Sequence, residues 1–177
     1  MVKLNVTNSP KYADCKCFLV DVSLDSVKFN EIFEFDGAKL YLKKEFHITL
    51  VGNEDALLLR KKFIELFGES RLEEIYGELA RDVEGLIENV VIEFLSEFYV
   101  LRKKYSEEDI RTSVVQIIET DLLDQFRELL KKRYNLLLSK DVPRPHITLY
   151  NELNNNGIGL YRKGDLDRWA VKKLERV

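Results

Sequence analysis

The 177-residue chain is 45% hydrophobic and 11% aromatic, enough to bury the core of one domain or two closely associated lobes without disulfides or metal. Its 28 basic and 31 acidic residues leave a net charge of −3, which argues against a broad basic surface for nucleic acid but admits a small cleft for a nucleotide or RNA end. No stretch of about 18 apolar residues occurs and residues 1–11 are mixed and polar, so the expectation is a cytoplasmic monomer with no membrane span and no secretory signal.

Cys15 and Cys17 sit at the start of a strand predicted over 16–24. A bridge across one intervening residue would be strained and no second pair completes a zinc site, so both are read as reduced, structural cysteines. Residues 31–35 and 39–44 flank Asp36-Gly37, a strong hairpin signal. A strand over 46–51 ends at Gly52, and Asn53 is expected to cap a helix over 54–67, with anion binding at that helix start as the lesser alternative. A second helix, 70–82, follows Gly68. The pattern then changes to period two, predicting strands over 90–95, 98–104 and 110–118. Thr120 or Asp121 caps a helix over 122–135, with Leu122, Phe126, Leu129 and Leu130 on one stripe. Pro143 and Pro145 bar helix and lead an extended segment into 145–150. Gly157, Gly159 and Gly164 suggest a strand with turns, followed by a short terminal helix. The fold class is α+β with mostly antiparallel strands, and no linker divides the chain.

The chain has only two histidines, and both open the same tetrapeptide: His47-Ile48-Thr49-Leu50 and His146-Ile147-Thr148-Leu149. At average residue usage the three shared neighbours would recur by chance on the order of once in several thousand. On a strand, residues i and i+2 share a face. Each copy therefore shows an imidazole beside a hydroxyl on one side and buries an aliphatic pair on the other. Two such faces suit a phosphodiester. With an unperturbed pKa near about 6.5, one imidazole can be neutral and take a proton from water while its counterpart gives one to the departing oxygen. The Thr hydroxyls can hydrogen-bond the non-bridging oxygens, and the reaction requires no metal or cofactor.

Two His-x-Thr-x motifs in separate halves of the chain resemble the 2H phosphoesterase superfamily, which includes 2′-5′ RNA ligase-like proteins and RNA 2′,3′-cyclic phosphodiesterases. The stretch 47–52 is similar to the first family motif and 145–150 to the second; the histidine triad family does not fit, since each segment has one His. The resemblance implies a bilobal fold of two mostly antiparallel sheets with flanking helices, around a pseudo-twofold cleft with one motif per lobe. It implies metal-independent action on 2′,3′-cyclic phosphates or 2′-5′ linkages at RNA ends or in small nucleotides. It makes His47 and His146 the acid–base pair and gives Thr49 and Thr148 the phosphate. Hydrolysis of a cyclic end is read with His146 as base and His47 as acid, and ligation with the roles exchanged.

Strand alternation extends the site. Arg144, His146, Thr148 and Tyr150 are predicted to share one face, and Tyr41, Lys43, Glu45, His47 and Thr49 another. Arg144, or Lys43 as second choice, could pair with phosphate oxygens, and Tyr150 could stack on a base. Arg162 and Lys163 read as a solvated turn rather than a cleft mouth. Two other classes stand beside the enzyme: a module that holds a nucleotide or RNA end without turning it over, and a partner-binding protein using the helix over 122–135.

Overall fold

The computed structural model describes residues 2–24, 28–138, 144–152, 157–175 and 177. The expectation for Pro143 lies outside them. The chain interleaves two compact units, one built from Met1–Val22, His47–Val91 and Thr120–Lys140, the other from Ser23–Phe46, Ile92–Glu119 and Asp141–Val177. The fold is mixed α+β with two sheets, and every strand pair with a defined register is antiparallel. Among the described residues no helix is long and apolar enough to cross a membrane.

The first unit holds a three-stranded sheet in the order β1 (Val2–Asn8), β2 (Lys16–Val22), β5 (Phe46–Val51). Its helices are α1 (Asn53–Phe67), α2 (Leu72–Ile87, entered through a 3₁₀ turn at Glu69–Arg71) and α3 (Leu122–Tyr134). Phe18 and Val20 of β2 and Ile48 and Leu50 of β5 are buried. Aromatic rings join the elements: Phe18 lies 6.4 Å from Tyr76 of α2 and 6.5 Å from Phe126 of α3, and Phe63 of α1 lies 4.9 Å from Tyr134. Such tilted contacts fit the quadrupoles of the rings and add to the apolar area removed from water. The stripe of α3 matches its prediction at Leu122, Phe126 and Leu130, with Leu129 only partly buried.

Two local expectations for this unit change. Asn53 is the first residue of α1 rather than its cap, which is Gly52. Its Oδ1 instead accepts from Ser9 Oγ at 2.6 Å and lies 3.7 Å from Cys17 Sγ, tying the entry to β2 onto the helix start. The polar-looking start of the chain is strand β1, paired to β2 from Val2↔Val22 to Asn8↔Lys16. Both cysteines are free and buried, and burial pushes their thiols up, so they are poor nucleophiles.

The second unit holds a six-stranded sheet in the order β3 (Ile32–Phe35), β4 (Ala38–Leu42), β8 (His146–Glu152), β7 (Ile110–Glu119), β6 (Glu93–Lys104), β9 (Ala170–Leu174). The strands predicted over 90–95 and 98–104 are one strand, β6, because no turn separates them. The irregularity between Phe94 and Phe98 is absorbed in the pairing with β7, where Gln116 Nε2 donates to Leu95 O at 2.9 Å. At the C-terminus the helix α4 (Asp165–Trp169) precedes the last strand, the reverse of the predicted order. Ile158, Leu160 and Leu166 pack on Leu101, Val115 and Ile117, so the segment carrying the glycines covers one face of the sheet.

The β3–β4 hairpin turns at Asp36 (φ 47°) and Gly37 (φ 78°), the two left-handed positions of a type I′ turn. A Cβ at Gly37 would meet nothing within 4 Å, so a side chain there is opposed by backbone conformation alone. Gly37→Ala is expected to cost about 1–2 kcal/mol. A denaturant midpoint unchanged from wild type would refute that turn assignment.

Candidate functional site

The two motifs occupy corresponding local settings, one in each unit. On β5, Ile48 and Leu50 are buried while His47 and Thr49 are half-buried on the opposite side. On β8, Ile147 and Leu149 are fully buried while His146 and Thr148 are half-buried. The alternation read from the tetrapeptide is therefore the alternation each strand adopts. The cause is the cost of leaving an aliphatic pair in water against that of burying a polar one.

Beyond the tetrapeptide, β8 departs from simple alternation. Thr148 pairs with Val115 of β7, but Val114 pairs with Tyr150, leaving Leu149 as an extra residue. This bulge reverses which later side chains share the face of Thr148. Val115, Ile117 and Ser113 share one face of β7, so their partners Thr148, His146 and Asn151 share one face of β8.

The prediction that Tyr150 stands beside His146 and stacks on a base is accordingly corrected. Tyr150 is fully buried on the other face, its ring 5.7 Å from Phe33 and 6.5 Å from Phe29, and its hydroxyl donates to Asn30 O at 2.9 Å. It is a core residue.

Asn151, which the sequence did not single out, takes the vacated place. Its hydrogen bonds orient the amide so that Nδ2 donates to Ser113 Oγ at 3.0 Å and to Tyr150 O at 2.8 Å, while Oδ1 accepts from Gly157 N–H at 3.3 Å. Ile158 N–H also donates to Ser113 Oγ, at 3.2 Å. Together these pin the covering segment to the sheet beside Thr148. Gly157 lies so close that a Cβ would sit 3.2 Å from Thr148 Cγ2 and 3.3 Å from its Oγ1. Gly159 packs tighter still, since a Cβ would meet the Tyr161 ring at 2.5 Å.

The Arg144 carbonyl lies 3.0 Å from His146 Nδ1. A carbonyl only accepts, so Nδ1 carries a proton, and in the neutral ring the lone pair is then on Nε2. Burial pushes the imidazole below its usual value of 6.5, and the carbonyl contact opposes this less strongly. His146 is thus set up as a neutral ring with an accepting Nε2, the form a general base needs.

The basic candidates fare differently. Arg144 donates through Nη2 to Glu97 Oε2 at 3.0 Å, the same oxygen that accepts from Tyr99 Oη at 3.1 Å and lies 3.7 Å from Lys173 Nζ. Its charge is therefore largely matched within the protein. The predicted face running from Tyr41 through Lys43 and Glu45 to His47 and Thr49 does not exist: β4 ends at Leu42, β5 begins at Phe46, and the two strands belong to different sheets.

Lys43 nevertheless lies beside β8. Tyr41 pairs with Asn151, and Lys43 N–H continues the ladder to Leu149 O at 2.8 Å, just past the end of β4. Burial lowers its ammonium, with Glu45 opposing, as for a cation short of solvent. Arg162 and Lys163 sit in the exposed turn before α4, where Asp165 Oδ2 accepts from the N–H groups of Tyr161 and Arg162 at 2.8 and 2.9 Å. Among the described residues no group of three His, Cys, Asp or Glu side chains is arranged to hold a metal ion.

Compared with protein-family models, curated proteins and solved structures, the chain finds no match in any of the three.

Two measurements check this geometry. Because the native His146 pKa is lowered, the unfolded chain binds more protons as pH falls below about 6.5, so stability is lost from there down to the native value and is level above it. Of two histidine NMR titrations, the one abolished by His146→Gln is expected to fall below 6.5; a midpoint above it would refute the neutral-ring assignment. Tyr150→Ala should cost about 3–5 kcal/mol in denaturant unfolding and Tyr150→Phe about 1 kcal/mol, whereas an exposed stacking residue would cost next to nothing.

Proposed function

We propose that the chain is a metal-independent phosphodiesterase of the 2H type, acting on a 2′,3′-cyclic phosphate or a 2′-5′ linkage at an RNA end or in a small nucleotide. A cytoplasmic setting is part of the proposal. The observation that carries it is the repeated His-Ile-Thr-Leu tetrapeptide, present on one strand of each unit with its aliphatic pair buried and its His–Thr pair half-buried. The antiparallel α+β architecture of two units is in keeping with it.

For a cyclic phosphate, Nε2 of neutral His146 takes a proton from water as its oxygen bonds to phosphorus. The bond from phosphorus to one ribose oxygen breaks, and the imidazolium of His47 gives that oxygen its proton. The product is a phosphomonoester with a neighbouring hydroxyl. Thr49 and Thr148 hydrogen-bond the non-bridging oxygens, and Lys43 supplies a charge toward them. Arg144 acts chiefly through its backbone carbonyl, which fixes the His146 tautomer.

The reading is tested with 2′,3′-cyclic mononucleotides, 2′-5′ dinucleotides and cyclic-phosphate-ended RNA. His47→Ala and His146→Ala are each expected to lower kcat by about 10²–10⁴, and activity should survive EDTA. Wild-type turnover in either variant would sink the paired mechanism. Tight binding of a cyclic nucleotide without product would make the protein a binding module instead.

A further inference from the structure

A basic and aromatic patch lies on the His146 face of the six-stranded sheet, toward the other end of β7. Lys103 of β6 pairs directly with Arg111 of β7, and alternation puts both on the face of Ser113, Val115 and Ile117. The Lys103 ammonium lies 3.7 Å from the centre of the Trp169 ring and 4.6 Å from that of Tyr105; the Arg111 guanidinium lies 4.4 Å from the latter. Arg168, exposed on α4, adds its charge to the surroundings of Lys103. Tyr105 stays 45% exposed.

The acidic groups nearby offset the charge of Arg111 but leave Lys103 and Arg168 without a direct acidic partner among the described residues. Asp109 is committed to Arg111 in a bidentate pair of 2.8 and 2.6 Å. Asp165 is buried, and its Oδ2 accepts from two backbone N–H groups. Among the described residues neither Lys103 nor Arg168 forms an ion pair, although Asp165 acts on Lys103 from a distance.

The occupant follows from this chemistry. A small anion would use the cations and leave the rings idle. An apolar peptide would have to bury Lys103 and Arg168 unpaired, which is costly. A single nucleic-acid strand offers phosphates to the cations and bases that stack on Tyr105, Trp169 or the guanidinium plane. We propose that this patch is a docking platform for the single-stranded part of an RNA whose end is the substrate, an inference that rests on the proposed function for that end alone. From Arg111 to Ile117, the partner of His146, β7 runs about 20 Å at roughly 3.3 Å per residue, a span for a few nucleotides. The strand would pass over the segment that bears Ile158 and Leu160. The platform selects oligonucleotides over mononucleotides without contributing to the chemistry.

Trp169 is the only tryptophan, so its fluorescence reports on the platform directly. The probe is an RNA of about eight nucleotides ending in a plain 3′-hydroxyl, which no turnover can consume. It is expected to change Trp169 emission saturably, with an affinity that falls as salt rises. By anisotropy of labelled RNA, Tyr105→Ala and Lys103→Gln should each weaken binding about fivefold or more, while Lys103→Arg retains it. Hydrolysis of a 2′,3′-cyclic mononucleotide should be unchanged in all three. No binding at low salt, variants that bind like wild type, or tripolyphosphate competing as well as RNA would each overturn the platform. RNA binding without turnover of any cyclic phosphate would sink the catalytic reading alone, and turnover without RNA binding would sink the platform alone.

Discussion

Between Thr148 and Tyr150 the ladder from β8 to β7 takes in one residue, Leu149, that has no partner on β7. A strand with simple alternation would place every second side chain from His146 onward on one face. Here the aliphatic Leu149 and the bulky Tyr150 both go to the buried side, and Asn151 emerges where the next small polar group is needed. That choice anchors the rest of the face. Asn151 and Ser113 hold Gly157 and Ile158, and these seat the covering segment against Thr148 at a distance that a Cβ on Gly157 would crowd. On the opposite side, Tyr150 closes an aromatic cluster with Phe29 and Phe33. One bulge thus supplies both a filled core and a defined wall beside the candidate site.

Much of this was legible in the chain. The tetrapeptides announced their strands and faces because a His-Thr pair interleaved with an Ile-Leu pair has one economical arrangement on a half-buried strand. Asp36-Gly37 announced its hairpin because few residue pairs accept two left-handed positions in succession. The start of the chain was legible too, though easily passed over. Val2, Leu4 and Val6 alternate with Lys3, Asn5 and Thr7, and Val2 and Val6 remain partly exposed on an edge strand, so the segment looks polar on average while carrying a period of two.

Other features had no local signal. The bulge at Leu149 is decided by what lies across the strand: an aromatic cavity ready for Tyr150 and a backbone turn ready for Asn151. No residue near 149 encodes it. Continuity through β6 was hidden for a similar reason, since the Gln116 side chain repairs the broken pairing from a different strand. Lys43 was named for a face shared with His47 that does not form, yet its backbone bond to Leu149 places it beside β8. Pattern reading fixes which face a residue takes along its own strand; it cannot say which strand becomes the neighbour.

Acid–base catalysis needs two groups of opposite protonation, and two identical tetrapeptides do not by themselves distinguish one imidazole from the other. The distinction has to come from surroundings, and around His146 these are specific. Burial disfavours the imidazolium, and the Arg144 carbonyl orients the ring so that Nε2 is the free acceptor. Arg144 itself could have complicated matters, since a guanidinium two residues away would sharpen the repulsion felt by a protonated ring. Glu97 draws that charge off and, with Tyr99 and Lys173 on the same carboxylate, ties it to β6 and β9. The native ring is then governed by burial and one hydrogen bond rather than by a mobile charge. The titration of such a ring responds little to salt, because neither desolvation nor a short backbone contact is screened as an exposed ion pair would be.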